Sequence, residues 1–182
     1  MKSSAPVGVA GVRLVTPLGP LALYARDGAV CHAWFVDAAE TPPNLPQNAA
    51  DADACAAVAA WFTAYFAGER ASGAGIPIAL AGSDLQRQVW SAVQAVPYGT
   101  TTTYGELTAN LGLSPLHIRA VAGAVARNPV AIAVPCHRVI GADGSLTGFA
   151  GGLERKRALL AFERDGGLVA HGQLALPLPG KE

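Results

Sequence analysis

Residues 103–128 read TYGELTANLGLSPLHIRAVAGAVARN. Thr103 stands three residues before Glu106, the spacing of a reciprocal helix cap. The helix it opens is short and stops at Gly112. Ser114-Pro115 then supplies an N-cap and a first-turn proline in the favoured order. The second helix runs to about Arg127, and Asn128-Pro129 closes it. Two helices across the turn Gly112–Ser114 make a helix-turn-helix pattern. Many helical proteins hold such a pair, so its surroundings must give it meaning.

Upstream, Ser83 with Gln86 forms another capping box, and Leu85, Val89, Val93 and Val96 share one helical face. Pro97-Tyr98-Gly99 ends that helix. Residues 71–82 (ASGAGIPIALAG) lack periodicity and carry glycine and proline, so a boundary falls there. Before it, Asp51 to Phe66 reads as a helix with Val58, Phe62, Tyr65 and Phe66 at helical spacings. Three apolar stretches precede it: Val7–Val15, Leu21–Tyr24 and Ala29–Phe35. Pro17-Leu18-Gly19-Pro20 and Asp27-Gly28 separate them with turn chemistry, which reads as antiparallel strands. Residues 41–48 read as a loop.

Downstream, the apolar run Val130–Ile140 is interrupted by Pro135-Cys136-His137-Arg138. A turn at 141–144 and a glycine-rich loop at 148–152 follow. Glu154–Glu163 is a last helix, stopped at Gly166-Gly167, and the tail from Leu174 is loosely ordered. The expected fold is therefore α+β. A small N-terminal antiparallel sheet with a helix occupies residues 1–82, linker included. A mostly helical, winged helix-turn-helix-like domain occupies 83–170, and 171–182 is a tail.

Composition bounds the class. The 182 residues are 51% apolar with zero formal net charge, which excludes a disordered chain. The 37 alanines inflate the apolar count without filling much core. Three cysteines, with no C-x-x-C, make no disulfide framework. No signal core or membrane-length run is present, so a cytoplasmic location with reduced thiols is expected. Zero net charge argues at first against a nucleic-acid partner. By segment it does not: residues 1–80 carry −2, while 113–170 carry +3.

Pro135-Cys136-His137-Arg138 joins a nucleophile, a base and a cation. A thiol reacts as thiolate, and an imidazole or a positive charge lowers its pKa. Neighbours in sequence do not normally face each other, so His137 reaches the sulfur through a water or a turn. A zinc site is not expected, because no second Cys or His sits at ligand spacing and His32 and His117 are isolated. Cys31 and Cys55 read as buried structural cysteines.

Asn128–Gly152 (NPVAIAVPCHRVIGADGSLTGFAGG) resembles the active-site region of O6-alkylguanine-DNA alkyltransferases, the methylated-DNA–protein-cysteine methyltransferases. The P-C-H-R-V core is specific to them. The resemblance spans about Leu85 to Glu163, through QVW, PYGTTTTYGEL, RAVAGAVARNP and ERKRALLAFE. It implies that Cys136 accepts an alkyl group from guanine O6 in one irreversible displacement. It implies that His137 is a water-mediated base, with Glu163 orienting and charge-balancing it. Tyr104 matches the tyrosine that donates to N3 of the leaving guanine. Arg119 matches a finger that enters the duplex from the minor groove behind a flipped nucleotide. Ala120, Ala122 and Arg127 lie on the same DNA-facing helix. Asn128 matches a hinge, and Val139 a carbonyl that accepts the guanine amino group. Phe149, Ala150 and Gly151 match the loop over the base, and Lys156 a basic support for it.

Some residues depart from the family pattern. Phe149 stands where tyrosine is common, Ala122 where glycine occurs, Ile118 where alanine is frequent, and Phe162 in place of a histidine. None removes a catalytic group. The implied partner is double-stranded DNA carrying O6-alkylguanine, bound by a monomer with cooperativity open. No cofactor, metal or membrane is implied. The chain reads as a stand-alone repair protein. A lesion sensor without chemistry ranks second, and a Cys136-His137 hydrolase third.

Overall fold

In the computed structural model, residues 9–37, 44–70, 73 and 75–165 are described. The expected stop at Gly166-Gly167 and the tail lie outside them.

The first half is a three-stranded antiparallel sheet, β1 (Ala10–Thr16), β2 (Gly19–Arg26) and β3 (Ala29–Phe35), in the order β1-β2-β3. Both hairpin loops have two residues, so β2 begins earlier than the apolar pattern indicates. After Pro17-Leu18 only Gly19 needs the left-handed region, at φ 106°, and Pro20 already pairs with Val15. Asp27 and Gly28, at φ 54° and 74°, form the turn whose twist suits a hairpin. Gly28 N–H also donates to Asp51 Oδ1 at 2.8 Å, tying this turn to the start of α1 (Ala49–Phe66), which Asn48 caps.

Side chains of β2 alternate between two clusters, as a central strand requires. Leu21, Leu23 and Ala25 face α1, where Ala54, Cys55, Val58, Phe62 and Tyr65 receive them. Ala22 and Tyr24 pack on the other face with Val9 and Val36.

The second half is helical. Ser83 and Gln86 form the capping box of α2 (Asp84–Gln94), and Thr103 and Glu106 that of α3 (Tyr104–Asn110). The helix expected from Ser114-Pro115 begins with a tighter turn, Pro115–His117, and becomes α4 at Ile118–Ala126. Val89, Trp90 and Val93 pack against Leu107, Val121, Ala124 and Val125. Trp90 Nε1–H donates to Ala124 O at 2.9 Å, fixing α2 on α4.

A backbone seam joins the halves. Ala33 N–H donates to Pro129 O, and Ala131 N–H to Ala33 O, both at 2.8 Å. The stretch expected as a plain linker instead pairs with β3: Val30 N–H donates to Pro77 O and Val30 O accepts from Ala79. Helix α5 (Leu153–Asp165) closes the first core with Leu159 and Phe162.

Candidate active site

The thiol sits where a strained turn delivers it. Ile132 is held at φ 70°, costly for a β-branched residue, while Val134 N–H returns to Val130 O. That reversal carries Pro135 into a single 3-10 turn, Cys136–Arg138, followed by β5 (Val139–Ile140). β5 runs parallel to β4 (Thr102–Thr103), a short pair the apolar run did not reveal. All three residues of the turn are buried. One turn thus points adjacent side chains in different directions.

Cys136 is 7% exposed. Burial raises its thiol pKa, and the Asn128 hydrogen bond and Lys156 charge oppose that. Asn128 Nδ2–H donates to Cys136 Sγ at 3.0 Å and to Val134 O at 2.7 Å, while its Oδ1 accepts from Val130 N–H. Asn128, two residues past the end of α4, is therefore a clamp on the cysteine turn.

His137 Nε2–H donates to Glu163 Oε1 at 2.7 Å, with both side chains buried. That contact assigns the ring proton to Nε2 and leaves Nδ1 with the lone pair. Nδ1 is buried and has no partner among the described residues. Burial lowers the His137 pKa, and Glu163 only partly restores it, so the ring is neutral and basic at Nδ1.

Glu163 lies inside the protein, not at an exposed helix end. It accepts from Arg138 Nε at 2.8 Å (Oε2), Arg138 Nη2 at 2.8 Å (Oε1), Tyr65 Oη at 2.7 Å and Gly99 N–H at 3.1 Å. Burial alone would raise its pKa, yet the donors and charges of His137 and Arg138 hold it well below the usual carboxylate range. The carboxylate stays ionised because so many donors converge on it. Sequence reasoning missed Tyr65 and the fork of Arg138. The only signal for Tyr65 was a phenol on a buried helix face, which needs a hydrogen-bond partner.

The remaining site residues surround this centre. Lys156, fully buried, donates to Val139 O at 2.6 Å and Thr147 O at 2.8 Å. The Val139 carbonyl thus already serves Lys156, with one lone pair left for a ligand. Tyr104, first residue of α3, contacts Thr147 O at 3.4 Å. Phe149, Ala150, Gly151 and Gly148 form a wall over Cys136, and Ala33, Trp34 and Phe35 of β3 complete the pocket. Those β3 residues were not anticipated. Arg119 and Ala120 are exposed on α4, Ala122 is half-buried, and Arg127 is exposed and donates to Gly123 O. The structure buries two hydrogen-bonded pairs, Asn128–Cys136 and His137–Glu163, with Lys156 bonded to carbonyls on either side of the cysteine turn's exit, and leaves Arg119, Ala120 and Arg127 exposed. No group of three or more metal-ligating side chains occurs among the described residues.

A buried thiol stands one residue from a carboxylate-held imidazole, in the same half of the chain as the helix-turn-helix. Two family models cover most of the chain. The ribonuclease-like domain of 6-O-methylguanine DNA methyltransferase matches residues 14–80, and the DNA binding domain of 6-O-methylguanine DNA methyltransferase matches 84–165. The methylated-DNA–protein-cysteine methyltransferase of Mycolicibacterium paratuberculosis is 45% identical over 149 residues, covering 82% of this chain and 88% of the relative. The protein of that name from Methanosarcina acetivorans is 40% identical over 151 residues, covering 81% and 94%. The crystal structure of Mycobacterium tuberculosis OGT in complex with DNA superposes with a TM-score of 0.75 at 37% identity, covering 87% of this chain and 95% of that one. The chain belongs to the methylated-DNA–protein-cysteine methyltransferase family.

Proposed function

We propose that the protein transfers the alkyl group of O6-alkylguanine in double-stranded DNA to Cys136, once and irreversibly. The observation that carries this is the buried pair His137–Glu163, which leaves a lone pair on Nδ1 one residue from the thiol. The Cys136 sulfur attacks the alkyl carbon in line, so the S–C bond forms as the C–O6 bond breaks. The thiol proton passes through a water to His137 Nδ1, and Glu163 stabilises the imidazolium. The electron pair of the broken bond goes to guanine, and Tyr104 donates to N3 of that leaving group. Lys156 favours the thiolate as the sulfur ionises.

The +3 charge of residues 113–170 supports DNA binding on the α4 side. Arg119, Ala120, Ala122 and Arg127 are assigned to the minor groove, with Arg119 filling the gap left by the flipped nucleotide. The Phe149–Gly151 wall covers the extruded base, and the free lone pair of Val139 O accepts its amino group. Residues 1–82 contribute pocket wall and support, and 83–170 the chemistry and DNA contact. The acting form is a monomer in the cytoplasm.

Duplex DNA carrying O6-methylguanine is incubated with protein, first with the protein and then with the DNA in excess, so that the second arm reads turnover, and each cysteine peptide is weighed. One methyl on the Cys136 peptide, in amounts matching whichever of lesion and protein is limiting, is the expected result. Repeated turnover, or methyl on Cys31 or Cys55, overturns it. Tight lesion binding with no mass change would mark a sensor instead.

A further inference from the structure

Arg155, in the first turns of α5, has no part in the chemistry above, yet it joins three separate segments. Its Nε–H donates to Leu18 O in the β1–β2 hairpin at 2.8 Å. Its Nη1–H donates to Gly151 O in the pocket wall at 2.9 Å. Its guanidinium lies 4.6 Å from the centre of the Phe35 ring, a cation–π distance, and Phe35 itself lines the thiol pocket. The charge of Asp37, just past β3, also attracts it.

The surrounding backbone is shaped to admit this side chain. Gly19 adopts φ 106°, and a Cβ there would come within 3.1 Å of Arg155 Nη2. A Cβ on Gly151 would lie 2.6 Å from the Phe149 ring and 2.9 Å from Phe35. Gly148 and Gly152, at φ 53° and 90°, bracket the wall as its two bends. Between those bends, Gly151 is where the wall is bonded to Arg155, and through Arg155 to Leu18 of the N-terminal half.

We propose that Arg155 is a positioning residue that latches the Gly148–Gly152 wall over Cys136 by bridging Gly151 to Leu18 and Phe35. The first half of the chain thereby sets the shape of the substrate pocket. Both carbonyls take a charged donor from one planar fork, which fixes direction as well as distance. The assignment rests on reading Cys136 as the alkyl acceptor. Its physical content, a wall held closed over a thiol, is separately measurable.

The cavity over the thiol is only about 30 Å³, so a reagent reaches the sulfur when the wall moves. Iodoacetamide labelling of Cys136 therefore reads the latch directly. Cys55, 1% exposed in the first core, reports any general loosening in the same digest. In Arg155→Met, Cys136 should label several-fold faster with Cys55 unchanged. The saturating rate with free O6-benzylguanine should fall several-fold, because the base is held less firmly against the sulfur. Arg155→Lys keeps the charge but cannot fork to both carbonyls, and should fall between wild type and Arg155→Met. Equal Cys136 labelling in Arg155→Met and wild type overturns the latch. So does a rise shared by Cys136 and Cys55. If wild type leaves duplex O6-methylguanine DNA unrepaired while Arg155→Met still labels faster at Cys136 alone, the proposed activity fails and the latch stands.

Discussion

Tyr65 donates its hydroxyl hydrogen to Glu163 Oε1 at 2.7 Å, across 98 positions of sequence. One residue lies on the helix that packs the N-terminal sheet, the other on the last helix of the second half. The carboxylate that holds His137 is therefore held in turn by the first half of the chain. Burial and the Glu163 charge push the phenol pKa far up, so Tyr65 remains a donor at any working pH.

Tyr65→Phe keeps the ring against Trp61 and Phe162 and removes only that bond. A loss of about 1–2 kcal/mol in unfolding free energy is expected, since the acceptor is charged but retains other donors. Single-turnover alkyl transfer should slow by less than tenfold. Urea unfolding and a rapid-quench time course measure the two effects, and a variant matching wild type in both would deny Tyr65 this role.

Arg138→Met is a harsher change. It strips two guanidinium bonds from Glu163 and one from Val96 O, the latter at 2.6 Å. A buried carboxylate left short of charge costs about 3–5 kcal/mol. The Glu163 pKa should rise towards the ordinary range. Chemical denaturation should show the loss at neutral pH and little further loss in acid, where the carboxylate is protonated in any case.

Asn128→Ala cuts the clamp on the cysteine turn. Bonds to Val134 O, Val130 N–H and the sulfur vanish together, worth about 1–3 kcal/mol net. The hydrogen bond from Asn128 is a cause that lowers the Cys136 pKa, so its loss lets burial raise the thiol further. The pH dependence of Cys136 alkylation should move upward, and an unmoved curve would show the sulfur contact to be incidental.

Arg119→Ala tests the exposed face. Arg119 is solvent-exposed on α4, away from the hydrogen-bonded cluster, so free O6-benzylguanine should react at close to the wild-type rate. Reaction in duplex DNA should drop by an order of magnitude or more, with a weaker salt dependence. Equal losses on both substrates would contradict a role confined to DNA.

What the sequence disclosed follows the range of the interactions involved. Both capping boxes and the Asp27-Gly28 turn are local devices, readable within four residues, and all three form as expected. The fork of Arg138 on Glu163 and the bridge of Arg155 are long-range. No periodicity announces a partner 25 or 137 positions away. Resemblance named the pair His137 and Glu163 but not the other donors to Glu163, because Tyr65 reads equally well as packing. The strand-like contacts of residues 77–79 were hidden for another reason: Gly and Pro around them break the alternation that marks a strand.

Stability depends on pH in two windows in which buried groups of the site titrate, His137 in the upper and Glu163 in the lower. His137 has its folded pKa lowered below 6.5, by burial above all. As pH falls, the unfolded chain takes up that proton before the native one does. The stabilisation from a neutral His137 is thus complete above about pH 6.5 and declines below it. Glu163 is held below its ordinary 4.5. Its contribution is complete above that value and is lost as pH falls further through the folded pKa. Unfolding free energy measured from pH 8 to pH 3 should therefore slope gently from near 6.5 and more steeply below about 4.5. The acid limb of the alkyl-transfer rate should lie below 6.5, since the base is still neutral there. In Glu163→Gln the lower window should shrink, because that carboxylate is gone, while Glu106 and Asp143, also held below their ordinary values, keep a residual slope. If that variant cannot be purified folded, His137→Asn should shrink the upper window to the part left by His32, whose pKa burial also lowers, and should narrow the lower one, since His137 helps to hold Glu163 down. An acid limb of the alkyl-transfer rate centred at 6.5, with the stability of His137→Asn falling from 6.5 just as in wild type, would mean that His137 titrates as an exposed imidazole.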